Sequence, residues 1–229
     1  MADLLEAADL ESGERVLDLA DGTDVVAQAV IGRVPEGAAC VVDAGALEGH
    51  AVRLPYPDAS FDVALSLHTL EAFADRGLVL AELRRVLVPA GRLALAVWGP
   101  LDGNPAFAAL ADSLRRRAGV GAAAAVDWLF SLSHPADVRA LLATAGFDGI
   151  RMRRTWRTIP ASSSDQLLRS LRRTFPIGAA TRELSPKDRE AIVADLNDNL
   201  GTRTIARGLP FATDVFAALV GTHGTGDLR

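Results

Sequence analysis

Between Arg15 and Trp98, short apolar runs alternate with segments whose apolar residues recur at helical spacing, and this alternation constrains the fold most. Arg15–Ala20 (RVLDLA), Ala39–Asp43 (ACVVD), Phe61–Leu67 (FDVALSL) and Arg92–Trp98 (RLALAVW) read as buried strands. Asp24–Arg33 reads as a helix capped by Asp24, and Leu78–Leu87 as a second helix that ends before Pro89. Strands separated by helices pair in parallel, because each crossover returns the chain to the same edge. The expected class is therefore α/β, with a mostly parallel central sheet covered by helices.

The second half follows another pattern. Asn104–Arg117, Ala122–Phe130, Ala136–Ala145, Ser163–Arg173 and Pro186–Leu200 have helical spacing, as does Met1–Leu10 in the first half, with Gly146 placed as a C-terminal stop. Phe147–Ile159 alternates like a strand with its arginines outward, and Phe211–Val220 fits either a last strand or a short helix. With neither a repeat nor a clear linker, residues 1–229 read as one domain. Residues 1–100 would form its ligand-binding half, and 101–229 a helical lid with C-terminal strands.

Composition removes several function classes. The 24 Lys+Arg against 29 Asp+Glu give a net charge of −5, which argues against a nucleic-acid binder. No uncharged apolar run approaches the about 18 residues that a membrane span needs. The start of the chain lacks the pattern of an export signal. Cys40 is the only cysteine, so no internal disulfide forms, which suits a reducing cytoplasm. The four histidines, His50, His68, His134 and His223, lack metal-ligand spacing, so no metal is expected. No G-x-S-x-G elbow, G-x-G-x-x-G or phosphate-binding P-loop occurs.

Four segments carry most of the information. They are Val16-Leu17-Asp18-Leu19-Ala20-Asp21-Gly22-Thr23-Asp24, Leu54-Pro55-Tyr56-Pro57-Asp58-Ala59-Ser60-Phe61-Asp62-Val63, Leu83-Arg84-Arg85-Val86-Leu87-Val88-Pro89-Ala90-Gly91-Arg92-Leu93, and Leu142-Ala143-Thr144-Ala145-Gly146-Phe147. A strand ending in a glycine turn before a helix offers backbone N–H groups to a ligand. In this order the segments resemble the class I S-adenosylmethionine (SAM)-dependent methyltransferases, in the ubiquinone/menaquinone-biosynthesis-like, methyltransferase type 11 branch. The resemblance covers about residues 13–157.

The resemblance implies a Rossmann-like sandwich, SAM as cofactor and a small-molecule substrate. Asp18, Ala20, Gly22 and Thr23 match the family's loop and would line the methionine end of SAM. Asp21 and Asp24 replace residues that are usually Cys or Gly and Gly. Val42-Asp43-Ala44-Gly45-Ala46-Leu47 is similar to the family's adenine-binding third-strand motif, which assigns Asp43, Ala44 and Leu47 to the cofactor. Ser66 and Leu67 would shape the pocket floor.

One strand–helix unit is missing between Gly22 and Leu54, and with it the acid that binds the ribose, unless Asp43 serves instead. Weak or absent SAM binding is therefore expected. Asp43 also fits a turn residue at a strand end, and Asp18 a loop brace.

His68 is the candidate general base, with a pocket wall as its alternative role. Trp98, Phe107, Trp128 and Trp156 are expected to line an apolar substrate pocket, with helical core as the alternative. Arg151, Arg153, Arg154, Arg157, Arg169, Arg172 and Arg173 form a basic cluster that reads as a solvated face. The expected partner is a small apolar or aromatic molecule, with no nucleic acid and no membrane, and a homodimer is left open. The competing reading is a SAM-independent member of the fold, either a repurposed enzyme such as a cyclase or a noncatalytic binding module.

Overall fold

The computed structural model describes residues 1–20, 25–43, 53–172 and 176–221. In chain order the elements are α1 (Ala2–Ala8), β1 (Arg15–Ala20), α2 (Val25–Ile31), β2 (Ala38–Asp43), β3 (Phe61–Leu67), α3 (Arg76–Val86) and β4 (Leu87–Trp98). There follow α4 (Pro105–Arg117), α5 (Val120–Leu129), α6 (Pro135–Thr144), β5 (Phe147–Ile159), α7 (Ser164–Leu171), α8 (Ile177–Ala180), α9 (Pro186–Leu200), α10 (Thr202–Arg207) and β6 (Leu209–Val220). The strands form one six-stranded sheet in the order β2-β1-β3-β4-β6-β5.

β1 pairs in parallel with β2 and β3, and β3 in parallel with β4. The β5–β6 pair is antiparallel. Gly149 lies against Leu219, the Thr155 hydroxyl reaches the Thr213 carbonyl, and Gly208 lies against Thr158, so one strand number falls as the other rises. This is the expected α/β class, a mostly parallel Rossmann-like sandwich. Phe211–Val220, open between strand and helix in the sequence, is a strand.

The chain divides into two compact units: residues 1–97, 135–153 and 214–229, and residues 98–134 and 154–213. In the first unit, β1 and β3 are buried almost throughout, and their apolar runs are the reason. Leu4, Leu5 and Ala8 of α1 and Val26 and Val30 of α2 pack on Val16, Val63 and Leu65 of the sheet. Each such leucine or valine contributes roughly 1.5–3 kcal/mol by leaving water.

β4 starts at Leu87, five residues before the expected Arg92, because Leu87 already pairs with Phe61. The register then jumps, so that Val63 faces Arg92. The extra residues form a bulge in which Ala90 has φ 62° and a side chain on Gly91 would stand 2.8 Å from the Val88 carbonyl. Pro89 donates no backbone hydrogen bond, which suits a break in the ladder.

The second unit is helical. α4 has Pro105 in its first turn, Arg115–Arg117 in its last, and Phe107, Leu110 and Leu114 on one face. That face packs with Val126, Leu129, Leu168, Leu171, Ile192 and Leu196. Ser163 and Ser185 cap α7 and α9 by accepting from the Gln166 and Asp188 amides. α8 and α10, with four and six residues, were too short to show a period in the sequence.

Candidate active site

Parallel sheets bind ligands outside the carboxyl ends of their strands, so the site is built from the ends of β1, β2 and β3. β1 ends at Ala20, which is 6% exposed. The β1–β2 register pairs Ala20 with Asp43, so the Asp43 carboxylate stands at the end of the strand directly beside β1. Asp43 is exposed, and among the described residues β2 is the outermost strand on its side of the sheet.

Asp18 lies two residues inside β1, between Val41 and Leu65, and is 1% exposed. Side chains alternate along a strand, so Asp18 shares a face with Ala20. Ser66 pairs with Leu19 of β1 and is 2% exposed. Its hydroxyl has no hydrogen-bond partner among the described residues. Leu67 ends β3 and is half-buried. Gly22, Thr23, Ala44 and Leu47 lie outside the described residues, as do Asp21 and Asp24, on which the expected helix cap falls.

His68 follows β3 directly. Its amide donates to the Ala96 carbonyl at 2.9 Å, which extends the ladder, and its φ of 54° then turns the chain sharply. The Thr69 hydroxyl donates back to the Leu67 carbonyl at 3.1 Å. A 3-10 turn over Leu70–Ala72 brings Glu71 under the imidazole, with Glu71 Oε1 3.9 Å from His68 Nδ1. Glu71 is 1% exposed, and α3 begins five residues later at Arg76. Burial pulls the Arg76 guanidinium down, and the Glu71 carboxylate pushes it back up. The sequence alone points to His68 and not to Glu71 or Arg76, which the structure brings near it. An acid three residues after the histidine was the available signal.

Upstream, the Arg85 guanidinium gathers the Leu54–Asp58 segment. It donates to the Leu54 and Tyr56 carbonyls, to Asp58 and to both oxygens of Glu82. Glu82 accepts in turn from the Leu54 amide, and the Arg85 bonds hold its carboxyl below the usual range.

The aromatic residues expected in a pocket belong to the second unit, whereas His68 belongs to the first. Trp98 and Phe107 meet edge to face with centroids 4.9 Å apart. Phe130 and Phe211 complete the ring cluster, both 5.8 Å from Trp98. Trp128 is half-buried on α5, and Trp156 is 54% exposed with its ring edge against Gly103. Phe211 was missed because β6 brings it in from the far end of the sequence. Among the described residues no group of acids, histidines and cysteine could hold a metal ion, and no helix is long and apolar enough to cross a membrane.

A methyltransferase-domain family profile matches residues 14–95. Over 53 residues the chain is 53% identical to a demethylmenaquinone methyltransferase of Deinococcus radiodurans, covering 23% of this chain and 22% of the relative. Over 116 residues it is 35% identical to the Beutenbergia cavernae demethylmenaquinone methyltransferase, covering 43% and 48%. The chain thus spans about half or less of the length of these curated relatives.

Among solved structures, the YcgJ protein of Bacillus subtilis has a TM-score of 0.55 at 16% identity, covering 97% of this chain and 98% of that one. Haemonchus contortus phosphoethanolamine N-methyltransferase 2, bound to phosphomonomethylethanolamine and S-adenosylhomocysteine, gives 0.53 at 14% identity, covering 95% and 51%. At such identities these two support the fold alone. The sequence matches and the sheet together make residues 14–95 similar to the methyltransferase-domain family, with matched relatives in the ubiquinone/menaquinone-like branch.

Proposed function

We propose that this chain binds SAM at the carboxyl ends of β1 and β2 and methylates a small apolar or aromatic molecule in the cytoplasm. The observation that carries the reading is the pairing of Ala20 with Asp43. The sequence after Asp43 is similar to a third-strand motif, yet its strand is the immediate neighbour of β1. A carboxylate there has the position from which the family's second-strand acid holds the ribose hydroxyls. Asp43 then compensates for the missing unit, as one carboxylate accepting two hydroxyl hydrogen bonds.

The residues present fit the cofactor. Asp43 would take the ribose, and the segment after Ala20 the methionine end. Ser66 and Leu67 would form the floor. Bound SAM supplies an electrophilic methyl group on a sulfonium centre. The protein's own work is to align the acceptor, exclude water and, at His68, receive the acceptor's proton.

The test is incubation with methyl-labelled SAM and a panel of small apolar and aromatic acceptors bearing hydroxyl, amine or activated carbon positions. Label should pass to at least one of them. Saturable SAM binding with no transfer to any acceptor class would favour a binding module. Turnover of a substrate without SAM would favour a SAM-independent enzyme such as a cyclase.

A further inference from the structure

The end of β3 holds a second ionisable group that the methyl-transfer reading does not use. Glu71 is 1% exposed, although acids are almost never fully buried without a counter-group. The backbone brings it to His68. The positive φ of His68 and the 3-10 turn that follows place Glu71 Oε1 3.9 Å from Nδ1, not from Nε2. An approach of about 1 Å would make this a hydrogen bond. The imidazole is itself mostly buried, with 20% of its side-chain surface exposed. Arg76 is the nearby opposite charge, and the Glu71 carboxylate acts on its guanidinium.

We propose that Glu71 is a positioning residue that holds His68 as the Nδ1–H tautomer and leaves Nε2 as the basic nitrogen. An ionised carboxylate only accepts hydrogen bonds, so it fixes a proton on the ring nitrogen that faces it. The lone pair is then confined to Nε2. When an acceptor molecule reacts, its X–H bond breaks and the electron pair stays on the acceptor atom. The proton passes to Nε2 and leaves to water afterwards. The catalytic consequence rests on the proposed methyl transfer, but the tautomer does not.

The test reads the ring directly. Nitrogen-15 NMR of the intact protein, at a pH where the ring is neutral, distinguishes the two tautomers. The His68 signals are assigned by their loss in His68→Gln. The wild type should show Nδ1 protonated and Nε2 unprotonated. Glu71→Gln keeps the volume but lets side chain 71 donate as well as accept, so it should lower the Nδ1–H share.

An Nε2–H ring in the wild type would overturn the proposal, and this result needs no variant to fold. An unchanged tautomer share in a folded Glu71→Gln protein would overturn it equally. The readout requires neither SAM nor substrate. A failed SAM titration with the expected tautomer would therefore remove the methyl-transfer reading and leave the Glu71–His68 pair standing.

Discussion

Removing Asp195 should expose how strongly one buried carboxylate ties α4 to α9. Asp195 is 8% exposed and accepts from Ser113 Oγ at 2.6 Å, from Arg117 Nε and Nη2 at 3.1 and 2.8 Å, and from Arg116 Nη2 at 3.3 Å. In Asp195→Ala the two arginines return to water at little cost, because they already stand in it. Ser113 cannot, since it is 0% exposed. A stranded buried hydroxyl costs about 1–3 kcal/mol, and this sets the expected loss. Adding Ser113→Ala removes the stranded group, so the double variant should lose less than the sum of the singles, by about 1 kcal/mol.

The Arg117 bonds first, with Ser113 and Arg116, hold the Asp195 carboxyl well below its usual range. The native state then binds fewer protons than the unfolded chain, so the contribution is complete above the unfolded carboxylate value of about 3.9. It fades as the pH falls through the lower native value. The gap between wild type and Asp195→Ala should therefore be widest near neutrality and shrink below about pH 4. Urea unfolding followed by tryptophan fluorescence measures it cleanly, because Trp98, Trp128 and Trp156 all belong to the second unit. A loss under about 0.5 kcal/mol at neutral pH, or a gap that does not change with acid, would refute the reasoning.

Two further expectations come from single side chains. Asn104 is 0% exposed; its amide donates to the Gly99 and Pro100 carbonyls, and its oxygen accepts from the Ala212 amide. Asn104→Ala strands these groups and should cost about 2–4 kcal/mol in the same urea assay, so a loss under about 1 would contradict it. Arg85→Lys keeps the charge but not the planar fork that spans Leu54, Tyr56 and Glu82. Faster hydrogen exchange at the Leu54 amide, relative to the rest of the first unit, is expected there, and unchanged exchange would show the fork to be dispensable.

Local pattern was legible wherever one segment decided its own structure. Arg15–Ala20, Phe61–Leu67, Phe147–Ile159 and Pro186–Leu200 have the bounds read from their apolar spacing. What depended on distant partners was not. The Leu87 start of β4 required knowing that Phe61 would pair with it. The Ser113–Asp195 bond joins residues 82 apart, and Phe211 reaches Trp98 only through the placement of β6. The same limit applied to the site. Asp18 stood out by its match to the family's loop segment, and His68 by its position after a strand end. That the strand of Asp43 pairs with β1 was not legible either, because a motif in sequence does not state which neighbour its strand will take.

The central claim is that Asp43, at the end of the strand beside β1, holds the ribose of SAM. Calorimetric titration of SAM into the wild type and Asp43→Ala tests it most directly. Aspartates at sequence positions 21 and 24 should keep the wild-type dissociation constant above about 1 μM, equivalent to about 8 kcal/mol. Loss of a charge-assisted pair worth about 1.5–3 kcal/mol should weaken binding roughly 10–100-fold in the variant. No saturable binding by the wild type, or equal affinity in a folded Asp43→Ala protein, would contradict the account.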